Sequence, residues 1–120
     1  MPNIDRVNSE LQKHISEIIM HELRDPRLCG ILTVIEVRTT NDLSYARVHV
    51  SYYGDEDKRK AVFDALKSSV NYIRRLLKTR VLLRNIPTLQ IVEDTSAEYS
   101  VRISKIIDEA TKNLKDDENI

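Results

Sequence analysis

Several residue types are scarce in this chain of 120 residues, and each scarcity excludes a class of protein. Cysteine occurs once, at Cys29, so no disulfide can form within the chain and the fold does not require an oxidising compartment. Two glycines and three prolines are too few for the many tight turns of an all-β protein. Tryptophan is absent and phenylalanine occurs once, so we expect a mainly aliphatic core in a domain that contains helices.

Signals for export and membrane insertion are also missing from the sequence. Residues 1–6 lack a basic segment followed by an apolar one, and no apolar run approaches the roughly 20 residues of a membrane-spanning helix. A chain of this length can bury a single core. We therefore expect one cytoplasmic domain over residues 1–114 that makes no membrane contact, followed by a polar, disordered tail over residues 115–120.

The most informative absence is that of acidic residues between Ala65 and Val92. The chain as a whole is neutral, with 19 Lys and Arg against 19 Asp and Glu, yet this segment carries only basic charges. They are Lys67, Arg74, Arg75, Lys78, Arg80 and Arg84. A concentrated positive surface attracts polyanions even when the net charge is zero. The alternative interpretation is an amphipathic helix whose solvent-facing side happens to be basic.

Hydrophobic periodicity predicts an α+β fold in a single domain, with a three-stranded sheet packed against helices. Apolar residues at helical spacing predict helices over residues 4–23, 57–83 and 101–114. β-Branched and alternating patterns predict strands over residues 32–38, 45–52 and 89–92, of which the first two pair antiparallel. The middle helix is long for a small domain, so we place a break between Ser68 and Asn71. A helix-kink-helix beside such a sheet is the arrangement of KH-type nucleic-acid-binding domains.

Several stretches of the sequence, taken in order, resemble one known family. They are Asp25-Pro26-Arg27-Leu28, Thr33 to Val37, Asp42 to Ser51, Tyr72 to Leu77, Leu83 to Leu89, and Asp94-Thr95-Ser96. Together they are similar to bacterial ribosome-binding factor A, from about Arg6 to Ile107. The resemblance implies a type II KH-like topology and a monomeric, non-enzymatic factor without cofactor or small-molecule substrate. It further implies binding to the small ribosomal subunit and its rRNA, maturation of the 5′ end of that rRNA, and a role in cold adaptation.

The chain departs from the family pattern at the break between the two central helices. The family usually has Ala-x-Gly there, whereas this chain has Ser69-Val70-Asn71. Asn tolerates left-handed backbone angles better than most residues. We therefore expect the kink to survive, with Asn71 at a positive φ.

The candidate RNA-binding residues lie around this break and beyond it. They are Lys67, Ser69, Asn71, Arg74, Arg75, Lys78, Arg80 and Arg84. Four of them, Asn71, Arg74, Arg75 and Lys78, are spaced by three and four, so we expect them to share one helix face. The planar guanidinium of Arg suits phosphate oxygens. Lys67 joins this face if the kink keeps the helical phase. Arg80 and Arg84 either extend the face or cap the last carbonyls of the helix.

Patterns for catalysis or metal binding are weak. Glu17, His21 and Asp25 share one helix face, but such a row is more often a solvated polar surface than a metal site. Cys29 has no neighbouring His in the sequence to activate its thiol. We therefore expect neither catalysis nor a bound metal. The alternative function is a protein-interaction module whose basic face docks an acidic protein and whose first helix pairs with a partner.

Overall fold

Three helices pack on one side of a three-stranded sheet in the computed structural model, which describes residues 3–95. The helices are α1 (Ile4–His21), α2 (Arg59–Ser68) and α3 (Val70–Arg80), with a 3-10 turn at Glu56–Lys58 before α2. The strands are β1 (Ile31–Thr39), β2 (Tyr45–Tyr53) and β3 (Thr88–Glu93). The predicted α+β fold and its element order are confirmed for this part of the chain. The predicted helix over residues 101–114 and the tail over residues 115–120 lie outside the described residues.

β2 is the central strand of the sheet. It runs antiparallel to β1 and parallel to β3, so that Val50 lies opposite Val34 and Val48 lies opposite Ile91. A bulge between Val34 and Glu36 shifts the register of β1. Parallel neighbours cannot be joined by a tight turn, and the helical pair α2–α3 supplies the long connection from β2 to β3. The sheet therefore fixes the two ends of the connection that contains the basic helix α3.

The core between the sheet and the helices is mainly aliphatic, as the sequence predicts. β2 places its alternate residues Ala46, Val48, Val50 and Tyr52 in the core, where none is more than 1% exposed. The helices contribute Leu11, Ile15, Ile18, Val62, Leu66, Ile73 and Leu77, all fully buried. Each such Leu or Ile side chain stabilises the fold by about 1.5–3 kcal/mol relative to an exposed position. None of the helices formed by residues 3–95 combines the length and the apolar character that crossing a bilayer requires.

The break between α2 and α3 lies at Ser69, within the predicted stretch, but its mechanism differs from the prediction. Ser69 has φ −90° and ψ −2°, and its hydroxyl donates to the Ala65 carbonyl at 2.8 Å. The hydroxyl of Ser68 donates in the same way to the Asp64 carbonyl at 2.9 Å. Serine hydroxyls that bond to the carbonyl four residues earlier bend a helix. The kink is therefore made by two serines.

The expected positive φ at Asn71 is wrong. Among residues 3–95, only Gly30 and Leu43 have positive φ, and Asn71 lies in the first turn of α3. The helix bends where the serine hydroxyls bond to carbonyls one turn earlier, and Ser69 keeps right-handed helical backbone angles. The bend therefore needs no residue with a left-handed backbone conformation.

The turn of the β1–β2 hairpin is organised by the side chain of Asp42. Its Oδ1 accepts hydrogen bonds from the Ser44 hydroxyl at 2.7 Å, the Thr40 hydroxyl at 2.7 Å and the Ser44 amide at 3.1 Å. These hydrogen bonds, those from Ser44 and Thr40 side chains foremost, lower the pKa of Asp42 to about 2. The next residue, Leu43, has a φ of 60°, which is unusual for a bulky side chain. The charged form of Asp42 therefore stabilises a turn in which Leu43 has an unfavourable backbone conformation.

We expect the Asp42→Asn variant to melt at a lower temperature than the wild type, by an amount that depends on pH. A carboxyl group whose pKa is lower in the folded state stabilises the protein fully at pH values above its pKa in the unfolded chain, about 3.9. This stabilisation is lost as the pH falls through the folded-state pKa of about 2. The difference in melting temperature should be largest above about pH 5 and should shrink toward pH 2. Asn41→Ser, at the exposed neighbouring position, serves as the control. A difference that does not change with pH would contradict this account of the turn.

We expect Asn71→Ala to be more stable than Asn71→Gly, because Asn71 lies in a helix with ordinary backbone angles. Gly in a helix is less stable than Ala by roughly 0.5–1 kcal/mol. Thermal or urea unfolding of the two variants measures the difference. If Gly proved the more stable of the two, Asn71 would have to adopt a left-handed conformation in solution.

Candidate nucleic-acid interface

The predicted basic segment forms α3, the end of α2 and the loop from α3 to β3. Ile73 and Leu77 on one side of α3 are fully buried. Since successive residues of a helix are about 100° apart, Asn71, Arg75 and Lys78 lie on the side away from this core, and all three are exposed. Lys67 is exposed in the last turn of α2. We refer to Lys67, Asn71, Arg75 and Lys78 as the α3 basic face.

Tyr72 borders the α3 basic face and contacts one of its cations. The guanidinium carbon of Arg75 lies 5.6 Å from the centre of the Tyr72 ring, which is within the range of a cation–π interaction. The Tyr72 side chain is 39% exposed, so the ring packs at the edge of the helix and is not fully open to solvent. Tyr72 therefore restricts the motion of Arg75 and holds its charge at the surface.

Arg74 is turned away from the α3 basic face and makes intramolecular hydrogen bonds. Its Nε donates to the Pro87 carbonyl at 3.0 Å, and its Nη2 donates to the Ile86 carbonyl at 2.9 Å. Ile86 and Pro87 are both buried. Buried carbonyls need hydrogen-bond donors, and here one guanidinium satisfies two of them. Arg74 thus connects α3 to the segment that leads into β3.

Arg80 also bonds within the protein. It follows Asn71 by nine residues, which places it on the opposite side of α3. Its Nη2 donates to Oε1 of Glu22 at 3.2 Å, and its Nη1 lies 3.7 Å from Oε2 of Glu17. Arg80 therefore joins α3 to α1. From its position in the sequence, Arg80 was expected to extend the basic face or to cap carbonyls of the helix, whereas in the structure it forms ion pairs with α1 and the residue that follows it.

The remaining predicted residues differ in how free they are to bind a ligand. Arg84 is exposed in the loop between α3 and β3. Among residues 3–95, no ion pair forms at Lys67, Lys78 or Arg84. Ser69 is half-buried and its hydroxyl is bonded to the Ala65 carbonyl, so its role is to shape the break.

Glu17, His21 and Asp25, which were weighed as metal ligands, do not come together in the structure. Within residues 3–95, no three His, Cys, Asp or Glu side chains come together to hold a metal ion. Glu17 instead faces His14, whose Nδ1 lies 3.6 Å from its Oε2, and the guanidinium of Arg80. Cys29 is half-buried.

A second group of cations lies outside the predicted segment, on the face of the sheet away from the helices. Arg38 of β1 and Arg47 of β2 are direct partners across the antiparallel pair, and Gln90 of β3 is the partner of Arg47 on the other side. Sequence reasoning missed these residues as a site. The sequence pattern could have identified Arg47, because the alternation in β2 that buries Ala46 and Val48 turns Arg47 to the other face of the sheet.

Comparison with known proteins identifies the family. The family model described as ribosome-binding factor A matches residues 3–107. The chain belongs to the ribosome-binding factor A family. Ribosome-binding factor A of Agathobacter rectalis is 41% identical to it over 112 residues, which cover 93% of each chain. That of Acetivibrio thermocellus is 39% identical over 122 residues, which cover 99% of each chain. The resemblance found in the sequence is confirmed.

Solved structures of the family share the fold. The crystal structure of ribosome-binding factor A from Thermus thermophilus matches with a TM-score of 0.66 and 28% identity, over 76% of this chain and 94% of that chain. A homology model of the Thermus thermophilus factor, fitted into a cryo-EM map of a 30S complex, matches with a TM-score of 0.61 and 30% identity. That match covers 73% of this chain and 91% of the other.

We expect Arg74→Gln to destabilise the protein much more than Arg75→Gln. The first change removes the guanidinium that donates to the carbonyls of two buried residues, and an acceptor left unsatisfied in a buried position costs about 1–3 kcal/mol. The second change removes an exposed charge, which should alter the free energy of unfolding by no more than about 0.5 kcal/mol. Urea unfolding of both variants at one salt concentration tests the difference. Equal effects would show that Arg74 does not hold α3 to the segment before β3.

Proposed function

We propose that this protein binds the small ribosomal subunit through its rRNA and promotes a late step in the maturation of that subunit. Membership of the ribosome-binding factor A family carries the proposal. A homology model of one relative has been fitted into a 30S complex, which supports the small subunit as the target. The proposal includes processing of the 5′ end of the small-subunit rRNA and a role in growth in the cold.

The α3 basic face, together with Arg84, is the surface that we propose for contact with rRNA. Arg75 and Lys78 present exposed charges one helical turn apart, and Asn71 can donate a hydrogen bond beside them. The Arg75 guanidinium, oriented by Tyr72, suits two oxygens of one phosphate. In this assignment Arg74, Arg80 and Ser69 position α3, and they do not contact RNA themselves.

Recognition through this face relies on the RNA backbone and on shape. Phosphate contacts alone give affinities of about 10⁻⁴ to 10⁻⁶ M. The aromatic ring that borders the α3 basic face within residues 3–95, Tyr72, already contacts Arg75. Base stacking is therefore a minor part of binding at α3, and complementarity to a folded RNA must supply the remaining affinity. The kinked helix pair beside the sheet supports a KH-like mode, in which the backbone is held at the break.

The protein can promote maturation through the free energy with which it binds rRNA, without catalysing a reaction. A factor that binds the correctly folded region of an rRNA shifts the population toward that fold. We propose that the protein acts in the cytoplasm as a monomer, with no metal, cofactor or small-molecule substrate. Misfolded RNA helices rearrange most slowly at low temperature, so the contribution of such a factor should be greatest in the cold.

We expect the double variant Arg75→Gln, Lys78→Gln to bind small subunits more weakly than the wild type while it remains folded. Each phosphate contact that is lost should reduce the slope of log affinity against log salt by about 0.7 to 0.9. Co-sedimentation with purified small subunits over a range of salt concentrations measures both quantities. The control is Lys13→Gln, Arg24→Gln, which removes the same charge from positions outside the proposed surface.

Two results would contradict the proposed function. The first is a double variant that sediments with small subunits as the wild type does. The second is a strain that lacks the protein yet has normally trimmed small-subunit rRNA and normal growth in the cold. Binding to isolated acidic proteins with the same affinity as to subunits would favour the protein-interaction module.

A further inference from the structure

The face of the sheet that points away from α1, α2 and α3 carries two arginines at its hairpin end. Arg38, Arg47 and Gln90 are partners across the three strands, so their side chains lie side by side on this face. Tyr45, two residues before Arg47 on the same strand, points to the same side and is 50% exposed. We refer to Arg38, Tyr45, Arg47 and Gln90 as the sheet patch. These four residues, with Thr39 and Thr40, line a depression of about 440 Å³.

The two arginines of the sheet patch are an unfavourable pair unless an anion lies between them. Like charges directly opposite each other on neighbouring strands destabilise a sheet. The Nε of Arg38 donates to Oε1 of Glu36 at 2.6 Å, so one charge is compensated. Arg47 is exposed and forms no ion pair with any of residues 3–95. One positive charge in the centre of the face is therefore left for a ligand.

Other charged groups near the sheet patch do not fill this position. The carboxylate of Asp42 is occupied by Ser44 and Thr40 within the hairpin turn. Along the strands in the other direction, Asp94 lies 3.6 Å from Nδ1 of His49. Asp42 keeps its negative charge, but its Oδ1 is held by these neutral donors, and among residues 3–95 neither Asp42 nor Asp94 forms an ion pair with Arg47.

The chemistry of the sheet patch fits a single-stranded nucleic acid. A guanidinium binds two oxygens of a phosphate, an exposed aromatic ring stacks on a base, and an amide can both donate to a base edge and accept from it. Arg47, Tyr45 and Gln90 supply these three groups on adjacent positions of β2 and β3. The volume of the depression is comparable to that of pockets that hold small organic ligands.

We propose that the sheet patch is a second RNA-binding surface, which holds a single-stranded segment with a phosphate on Arg47 and a base on Tyr45. The inference rests on the proposed function, since it assigns a further contact to the same RNA. The helices cover the other side of the sheet, so the sheet patch and the α3 basic face belong to different layers of the fold. The protein can then hold two RNA segments at once.

The experiment uses the full chain and a fluorescein-labelled oligouridine of about twelve nucleotides, which is within the site sizes of single-strand-binding domains. We expect Arg47→Gln to weaken binding at least about fivefold and to lower the salt slope by about 0.7. Tyr45→Leu keeps an apolar side chain but removes the ring, and it should weaken binding with little change in the slope. Oligouridine that contains 4-thiouridine should cross-link under ultraviolet light to the peptide that contains Tyr45.

Controls separate this surface from the rest of the molecule. Arg24→Gln removes an equal charge outside the sheet patch and should leave binding unchanged, and Arg47→Lys should retain much of it. A duplex of the same length should bind more weakly than the single strand. Competition by oligoglutamate as strong as that by unlabelled RNA would overturn the proposal, because the patch would then be a general anion surface.

The outcomes also distinguish this inference from the proposed function. If Arg75→Gln, Lys78→Gln abolishes subunit binding while Arg47→Gln leaves oligouridine binding and the cross-link intact, the sheet patch is refuted and the proposed function stands. If Arg47→Gln weakens oligouridine binding while the α3 double variant still sediments with subunits, the sheet patch is supported and the α3 interface is wrong.

Discussion

The burial of one side of β2 is the constraint on which the rest of the structure depends. Ala46, Val48, Val50 and Tyr52 alternate into the core, and a shift of one residue would expose all four. The same alternation turns Tyr45 and Arg47 to the face that points away from α1, α2 and α3. β2 also sets the position of β3 and, through the long connection between them, that of α3. Both proposed RNA surfaces are therefore placed by the packing of one strand.

The sequence predicted the elements well because their signals are local. Alternation in β2 and helical spacing in α1 each reflect burial of one face, which is the strongest contribution to folding. The break between α2 and α3 was predicted at the right place with the wrong mechanism. A positive φ at Asn71 was expected, whereas the hydroxyls of Ser68 and Ser69 bond to carbonyls one turn earlier. Backbone propensity alone does not tell which carbonyl or amide a serine hydroxyl bonds to.

The candidate site was predictable only as far as helical spacing reaches. Spacing placed Asn71, Arg74, Arg75 and Lys78 on one face, and in the structure Asn71, Arg75 and Lys78 are exposed there whereas Arg74 is half-buried. Arg74 and Arg80 have the same charge, but their partners come from distant parts of the chain, the segment before β3 and α1 respectively. Charge in a sequence thus locates a basic segment, and the tertiary contacts decide which of its cations remain available.

The parallel pairing of β2 with β3 has a consequence for chain synthesis. α1 and the β1–β2 hairpin lie in the first half of the chain and can form as soon as residues up to Tyr53 have emerged. β3 must wait until the whole α2–α3 connection has been made, and non-local pairing of this kind is slow. Because Arg74 is anchored on Ile86 and Pro87, α3 acquires its orientation only when the segment before β3 is in place. Gln90, which completes the sheet patch, lies just beyond Ile86 and Pro87, so we expect both RNA surfaces to be completed only when the segment that leads into β3 has been placed.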